Sequence, residues 1–526
     1  MSSFPKSVFE GYLCGSRHIR ASAPMLGKTL RCFASAVHSL EARVTDKGLL
    51  RTGTYINGRW TATDQEFEVL NPATGKSLAR VSSSGSQETS QAVSAASEAF
   101  KAWSNLTGAQ RGLFLNRWAE ELVRAKDDVA SIMTAECGKI LPESKAEFDS
   151  GVGSVRWFAA EAGRVHGDVM PTVSGSKRFI TARQPVGVAA AITPFNFPMS
   201  MITRKVAPAL AAGCTVVLKP AEATPLTALA LAELAHRAGI PPGVINVVTG
   251  DANAIGNTLL ASEAVRKIGF TGSTAVGKKL MAGAADTVKK VSLELGGNAP
   301  LIVFEDADLE RAASGAALSA FRNAGQTCIC ANRILVQESV YETFAALLAE
   351  KVAALRLGSG FDPEATCGPL ISSKGLAKVV AHVEDAVQKG ATPLVGGSTA
   401  EMQGAFSGGY FHQPTVLAGA TTDMLCFRQE TFGPIAPLFR FGSEEEAISM
   451  ANDTEYGLAA YFYTRDVARC WRVAELLEYG MVGINEVAIT SEVAPFGGVK
   501  MSGLGREQSK YGLDEFTELK TMCFGV

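Results

Sequence analysis

Between residues 87 and 165 the apolar positions recur three and four apart. SQETSQAVSAASEAFKAW and RGLFLNRWAEELVRAKDDVASIMTAECGK both keep that spacing. It predicts helices, with Gly138 as the stop of the second stretch. From residue 186 the pattern changes. VGVAAAIT (186–193), TVVLKP (215–220), VINVVTG (244–250), VRKIGFTG (265–272) and VKKVSLELGG (288–297) are short apolar runs and read as buried strands. Helical stretches separate them. MSMITRKVAPALAAG reads as a helix interrupted at Pro208, and PLTALALAELAHRAG is capped by Thr224 and opened by Pro225. AIGNTLLAS and a segment from about Ala275 complete the series. Strand alternating with helix at this spacing predicts an α/β chain with a doubly wound, mostly parallel sheet. Such sheets take ligands at the carboxyl ends of their strands. Chemistry is therefore expected just after Thr193, Leu218, Val248, Phe270 and Leu293. A second α/β alternation opens at APLIVFEDADLERAASGAALSAF and runs to about residue 490. TYINGRW, near Thr54, reads as a strand and turn where folded structure begins. SGSKRFITARQPVG (174–187) reads as an extended hairpin, a candidate with the segment from 500 onward for contacts between subunits.

Length and charge narrow the picture. A chain of 526 residues exceeds one ordinary core, which predicts two or three domains. The formal net charge of −2 argues against a nucleic-acid partner, because such proteins carry a basic excess. No apolar run approaches the roughly 20 residues of a membrane helix. The ten cysteines form no CxxC pair and have no HxxxH partner, so free thiols in a reducing compartment are expected and a metal site is not. The first forty residues differ: Lys6, Arg17, Arg20, Lys28 and Arg31 stand against Glu10 among many Ser and Ala. Residues 1–45 read as an organelle transit peptide or, on composition alone, as a disordered tail.

Five motifs lie at the expected strand ends or close beyond them. Pro194-Phe195-Asn196-Phe197-Pro198 holds an amide able to donate to an oxyanion, or an Asn that only satisfies a turn. Lys219 and Glu222 suit ribose hydroxyls, the carboxylate accepting from a 2′-OH and repelling a 2′-phosphate; a surface ion pair reads equally well. Gly272-Ser273 opens a helix whose free N–H groups favour a phosphate, or is a simple capped turn. Glu294 beside Gly296 and Gly297 is a candidate general base, or a solvent-facing strand end. In NAGQTCICANR (323–333), Gln326 and Thr327 give Cys328 a polar approach suited to a nucleophilic thiol. Cys330 fits a small packing residue better.

In this order, the motifs PFNFP, LKPAEATPLTALALAEL, FTGST, LELGGNAP, GQTCICANR, ETFGPI and PFGGVKMSGLGRE resemble the NAD(P)-dependent aldehyde dehydrogenase superfamily over nearly the whole chain after residue 50. ITRKVAPALAAGC, FRNAGQTCICANRILVQ, NDTEYGLAAYFYTRD and EVAPFGG are similar to succinate-semialdehyde dehydrogenases within it. Phe195 departs from the Trp of many members. The resemblance implies the fold: a Rossmann-like NAD-binding domain (46–173 and 188–296), an α/β catalytic domain (297–498) and a small β oligomerisation element (174–187 and 499–526) in a homodimer or homotetramer. It implies that Cys328 attacks the aldehyde, that Asn196 and the Cys328 N–H hold the oxyanion, and that Glu294 activates water for hydrolysis. Thr193, Pro194, Phe195, Lys219, Glu222, Gly272, Ser273, Glu430 and Phe432 are implied as cofactor contacts, with Glu222 favouring NAD over NADP. Arg204, Arg333 and Ser491 are implied to hold a distal carboxylate, as in succinate semialdehyde, an intermediate of 4-aminobutyrate degradation; glutarate semialdehyde, another aliphatic aldehyde, or a silent binding role are the alternatives. A mitochondrial matrix or chloroplast location is implied with the leader. Cys330 is expected either to pack or to form a strained, easily reduced bridge to Cys328.

Overall fold

The five apolar runs become the parallel centre of one sheet. In the computed structural model, which describes residues 39–526, they are β1 (Val188–Ile192), β2 (Thr215–Lys219), β3 (Ile245–Val247), β4 (Val265–Thr271) and β5 (Lys290–Glu294), in spatial order β5-β4-β1-β2-β3. Register aligns their carboxyl ends. Ile192 pairs with Lys219 on one side and Phe270 on the other, and Thr271 pairs with Glu294. Candidate residues far apart in the chain thus share one rim. Gly503–Leu504 adds an antiparallel strand against Leu293 and Glu294, and on the far side Thr54–Ile56 pairs with β3 and with the edge strand Arg59–Thr61. Gly503 has φ 137°, and a Cβ there would lie 1.8 Å from the Leu293 carbonyl oxygen, so only glycine fits this pairing.

Helices cover both faces. The stretch expected as one pattern from Arg111 to Gly138 divides at Ala125 into Gly108–Arg124 and Lys126–Cys137, and Gly138 ends the latter at φ 84°. Next comes α1 (Leu141–Glu161), which packs against α2 (Ser200–Ala212). Pro208 does not interrupt α2. Every residue of that helix is buried, and this packing offsets the one backbone hydrogen bond a proline removes.

The second alternation builds a seven-stranded sheet from β6 (Ala299–Val303), β7 (Ala331–Gln337), β8 (Thr392–Val395), β9 (Thr415–Ala418), β10 (Ile435–Phe441), β11 (Ala459–Tyr463) and β12 (Met481–Ile484), ordered β8-β9-β10-β7-β6-β11-β12. Only β8 runs antiparallel to its neighbour. The segment read as a hairpin is one long strand, Lys177–Pro185, paired along its length with the C-terminal Thr517–Gly525 and briefly with Val169–Met170.

Folded structure begins before Thr54. Leu40, Val44 and Leu49 are buried in the same core as Trp103 and Trp118, so a leader boundary at residue 45 would cut through packed chain. The rest of the segment read as a leader, residues 1–38, lies outside the described residues. No helix among the described residues is long and apolar enough to cross a membrane.

Candidate active site

The thiol loop enters from the second sheet. Helix Leu309–Phe321 ends at Arg322, and Asn323 and Ala324 take left-handed backbone angles, φ 51° and 54°, which turn the chain before Cys328 and β7. Such angles are uncommon for residues with a Cβ and persist where surroundings fix them. Glu143 of α1 accepts from Asn323 N at 2.9 Å, and Gln326 Nε2 donates to Asn323 O at 3.0 Å.

Asn196 meets this loop. Its Nδ2 donates to Gln326 O at 2.9 Å, two residues from Cys328. Glu294 arrives at the end of β5. Beyond it Gly297 lies so near the thiol loop that a Cβ would sit 2.1 Å from Cys328 O, which gives the second glycine a steric reason. The Glu294 carboxylate is buried and takes no protein donor. Burial first, and the nearby Glu507 charge second, hold its pKa well above the usual carboxylate range; Lys205, Arg506 and Arg204 pull it down. Lys205 of α2 is itself buried, bonded to Glu507 and to Thr271. Burial pushes the Cys328 thiol up, as do Glu430 and Glu294, while Arg204 opposes them. Burial thus favours the protonated form of both the Cys328 thiol and the Glu294 carboxylate.

Two cations line the cavity at Cys328. Arg204 and Arg322 share its wall with Phe197, Met201, Thr327 and Phe496. Arg204 stacks over Phe496 at 4.7 Å and Arg322 over Phe197 at 5.3 Å. Arg204 is 5% exposed, yet its Nε and Nη1 have no hydrogen-bond partner.

Arg333 does not join them. It is wholly buried on β7, where its Nε donates to Asn298 O, Nη1 to Met450 O, and Nη2 to Ala451 O and the Tyr479 hydroxyl. With those donors engaged in backbone carbonyls, it has no place in the cavity. Arg322, eleven residues earlier, stands where Arg333 was expected; its only sequence signal was a cation just before the Asn323 turn. Ser491 is exposed and donates to Glu492 at 3.2 Å, while its neighbour Thr490 lines the cavity. Cys330 is buried, and burial raises its pKa to about 12; its N donates to Thr327 O at 3.0 Å. Every cysteine among the described residues is a free thiol.

The remaining residues gather on the rim of the first sheet. Lys219 Nζ donates to Glu222 at 2.6 Å, and half-exposed Glu222 keeps acceptor capacity toward solvent. Exposed Ser273 caps helix Thr274–Ala284, accepting from Val276 N, beside Gly272. The Thr193 hydroxyl is buried without a partner. Phe195 and Phe432 meet edge to face at 5.9 Å, joining the PFNFP and ETFGP loops, and Glu430 accepts from Gly297 N at 3.0 Å. Burial lifts the Glu430 pKa to about 7. A Lys beside an acid, a helix start and an orphaned hydroxyl on one rim fit a dinucleotide.

Comparison with known proteins agrees with this geometry. Residues 60–522 match the model of the aldehyde dehydrogenase family. A mitochondrial succinate-semialdehyde dehydrogenase of Oryza sativa subsp. japonica is 53% identical, the match covering 97% of this chain and 97% of its own. A glutarate-semialdehyde dehydrogenase of Pseudomonas putida is 54% identical over 92% of this chain and all of its own. The crystal structure of an E. coli NADP dependent enzyme superposes with a TM-score of 0.90 at 52% identity, covering 92% of this chain and 100% of that one. With its sheets, thiol loop and strand-end acid in this arrangement, the chain belongs to the aldehyde dehydrogenase family.

Proposed function

We propose that the protein oxidises succinate semialdehyde to succinate with NAD as acceptor, through a covalent adduct on Cys328. The observation that carries the substrate is Arg204: a buried guanidinium on the cavity wall with two donors unpaired. A planar cation so desolvated is matched by a carboxylate, and Arg322 adds a second charge. An aldehyde with a distal carboxylate would be anchored there with its carbonyl toward the thiol.

Cys328 gives its proton to a base, Glu294 in this reading, and its sulfur bonds to the carbonyl carbon. Asn196 Nδ2 and the Cys328 N–H donate to the oxyanion. A nicotinamide held on the rim would supply the hydride acceptor that lets the Cys328 adduct become a thioester. After shedding the first proton to solvent, Glu294 takes one from water as the water oxygen bonds to the acyl carbon; the C–S bond then breaks and the sulfur takes that proton, which releases the acid and restores the thiol. Lys205 and Glu507 lie behind Glu294 and tune its proton affinity. Lys219, Glu222, Thr193, Pro194, Phe195, Gly272, Ser273, Glu430 and Phe432 would hold the dinucleotide.

The choice of NAD follows from Glu222, whose carboxylate would oppose a 2′-phosphate, although the E. coli relative is an NADP dependent enzyme. A second substrate reading, glutarate semialdehyde, draws on the P. putida relative. The 46–173 and 188–296 cofactor unit, the 297–498 catalytic unit and a homo-oligomer joined through 174–187 and 499–526 belong to the same reading. So do a mitochondrial location, by likeness to the rice enzyme, a role in 4-aminobutyrate breakdown, and a reversible oxidant-formed bridge from Cys328 to Cys330. The test is initial rates with succinate semialdehyde, glutarate semialdehyde and propanal, each with NAD and NADP. The highest kcat/KM is expected for succinate semialdehyde with NAD. Propanal turning over equally well would reject the carboxylate assignment, and a higher kcat/KM with NADP would reject the cofactor assignment.

A further inference from the structure

Beneath the Asn196 loop lies an ion pair that the chemistry above does not use. Lys139 follows the Gly138 turn and Glu147 sits on α1; their side chains are 1% and 0% exposed and they bond directly. Burying two charges is costly unless their remaining hydrogen-bonding capacity is met. Here it is met by one short stretch of backbone. Lys139 Nζ donates to Asn196 O at 2.6 Å and lies 4.1 Å from the centre of the Phe197 ring. Glu147 Oε2 takes Lys139, while Oε1 accepts from Met199 N at 2.8 Å and Ser200 N at 3.1 Å, where α2 begins. The pair therefore grips the chain on both sides of Phe197-Pro198. A second donor, Asn323 Nδ2, reaches Asn196 O at 3.1 Å, and Asn323 is itself held by Glu143 one turn earlier on α1. With its carbonyl fixed from two directions, Asn196 presents its amide in one orientation, against Gln326 O.

We propose that Lys139 and Glu147 are positioning residues for Asn196: the buried pair sets its peptide plane, so that the amide donor is aimed at the Cys328 adduct before an aldehyde arrives. This rests on the reading of Asn196 as an oxyanion donor. A pair that only stabilised the fold would act equally with or without the Asn196 amide. One that positions the amide loses its effect when the amide is gone.

The test is a double-mutant cycle on the full chain. The pair is neutralised together as Lys139→Met with Glu147→Gln, which leaves no lone buried charge, alone and in an Asn196→Ala background. Because displacing a catalytic donor costs about 10²-fold, kcat and the pre-steady-state NADH burst are expected to fall by roughly that factor, with KM moving far less. Iodoacetamide alkylation of Cys328, which needs no oxyanion donor, should keep its rate. In the Asn196→Ala background the same pair of changes should cost only about 3-fold or less, the strong coupling expected of groups acting through one another. Equal losses in both backgrounds, or an unchanged kcat in the first, would overturn the proposal while leaving Asn196 as the donor. A fully active Asn196→Ala enzyme would overturn both. Should the double replacement fail to fold, Glu147→Gln alone keeps the acceptor for Met199 and Ser200 and is read in the same cycle by the same criteria.

Discussion

Two buried arginines of this chain carry the same charge into different surroundings. Arg333 ends in three backbone carbonyls and a tyrosine hydroxyl on the flank of β7. Arg204 ends at the cavity wall beside Cys328, stacked on Phe496, with two N–H directions unspent. Desolvation lowers both pKa values, yet only Arg204 keeps guanidinium nitrogens without a partner. Burial alone does not separate a structural cation from a recognition cation. The distribution of its donors does: a guanidinium satisfied by the fold belongs to the fold, and one left short belongs to a ligand.

The contrast can be pressed by removing each in turn. Arg333→Met leaves the carbonyls of Met450 and Ala451 buried without this donor and should cost about 3 kcal/mol of stability, seen as a lower denaturation midpoint. The enzyme that remains should prefer succinate semialdehyde over propanal by the unaltered ratio. Arg204→Met should do the reverse. Stability should change little, while kcat/KM for succinate semialdehyde falls about 10²-fold and that for propanal far less, since a charge-assisted pair is lost with one substrate only. A shared loss on both aldehydes would erase the distinction. The smallest effect is on pH dependence. Burial and then Glu507 raise the Glu294 pKa, and Lys205 and Arg204 lower it. Removing either cation raises it further, so the base form appears only at higher pH and the ascending limb of kcat moves up. A larger upward shift is expected for Lys205→Met than for Arg204→Met, because Lys205 is the stronger of the two lowering influences. In Arg333→Met the limb should stay where it was.

The same pair of arginines marks how far the sequence could be read. Short apolar runs ending in Thr193, Lys219 and Glu294 placed those residues on one rim, because in a parallel sheet every strand end faces the same way. Arg322 and Arg333 could not be told apart by such reasoning. Which of them reaches the cavity depends on Asn323 and Ala324 taking left-handed angles without being glycine, and no local preference announces that. Lys139 and Glu147 were equally hidden. They sit in a stretch legible only as helical spacing and a glycine stop, and their target lies 57 positions along the chain from Lys139. Pro208 misled for a related reason: the packing that keeps α2 continuous comes from other segments.

Gly503 closes the free side of β5 through a contact that tolerates no side chain, and the same C-terminal stretch delivers Glu507 to Lys205. The strand bearing Glu294 would otherwise be an open border of the sheet, a template for joining a foreign strand. A protease nick between residues 498 and 505 would therefore cause two failures at once, unseating Glu294 and uncovering an adhesive edge. Loss of turnover and onset of aggregation should then keep the same clock.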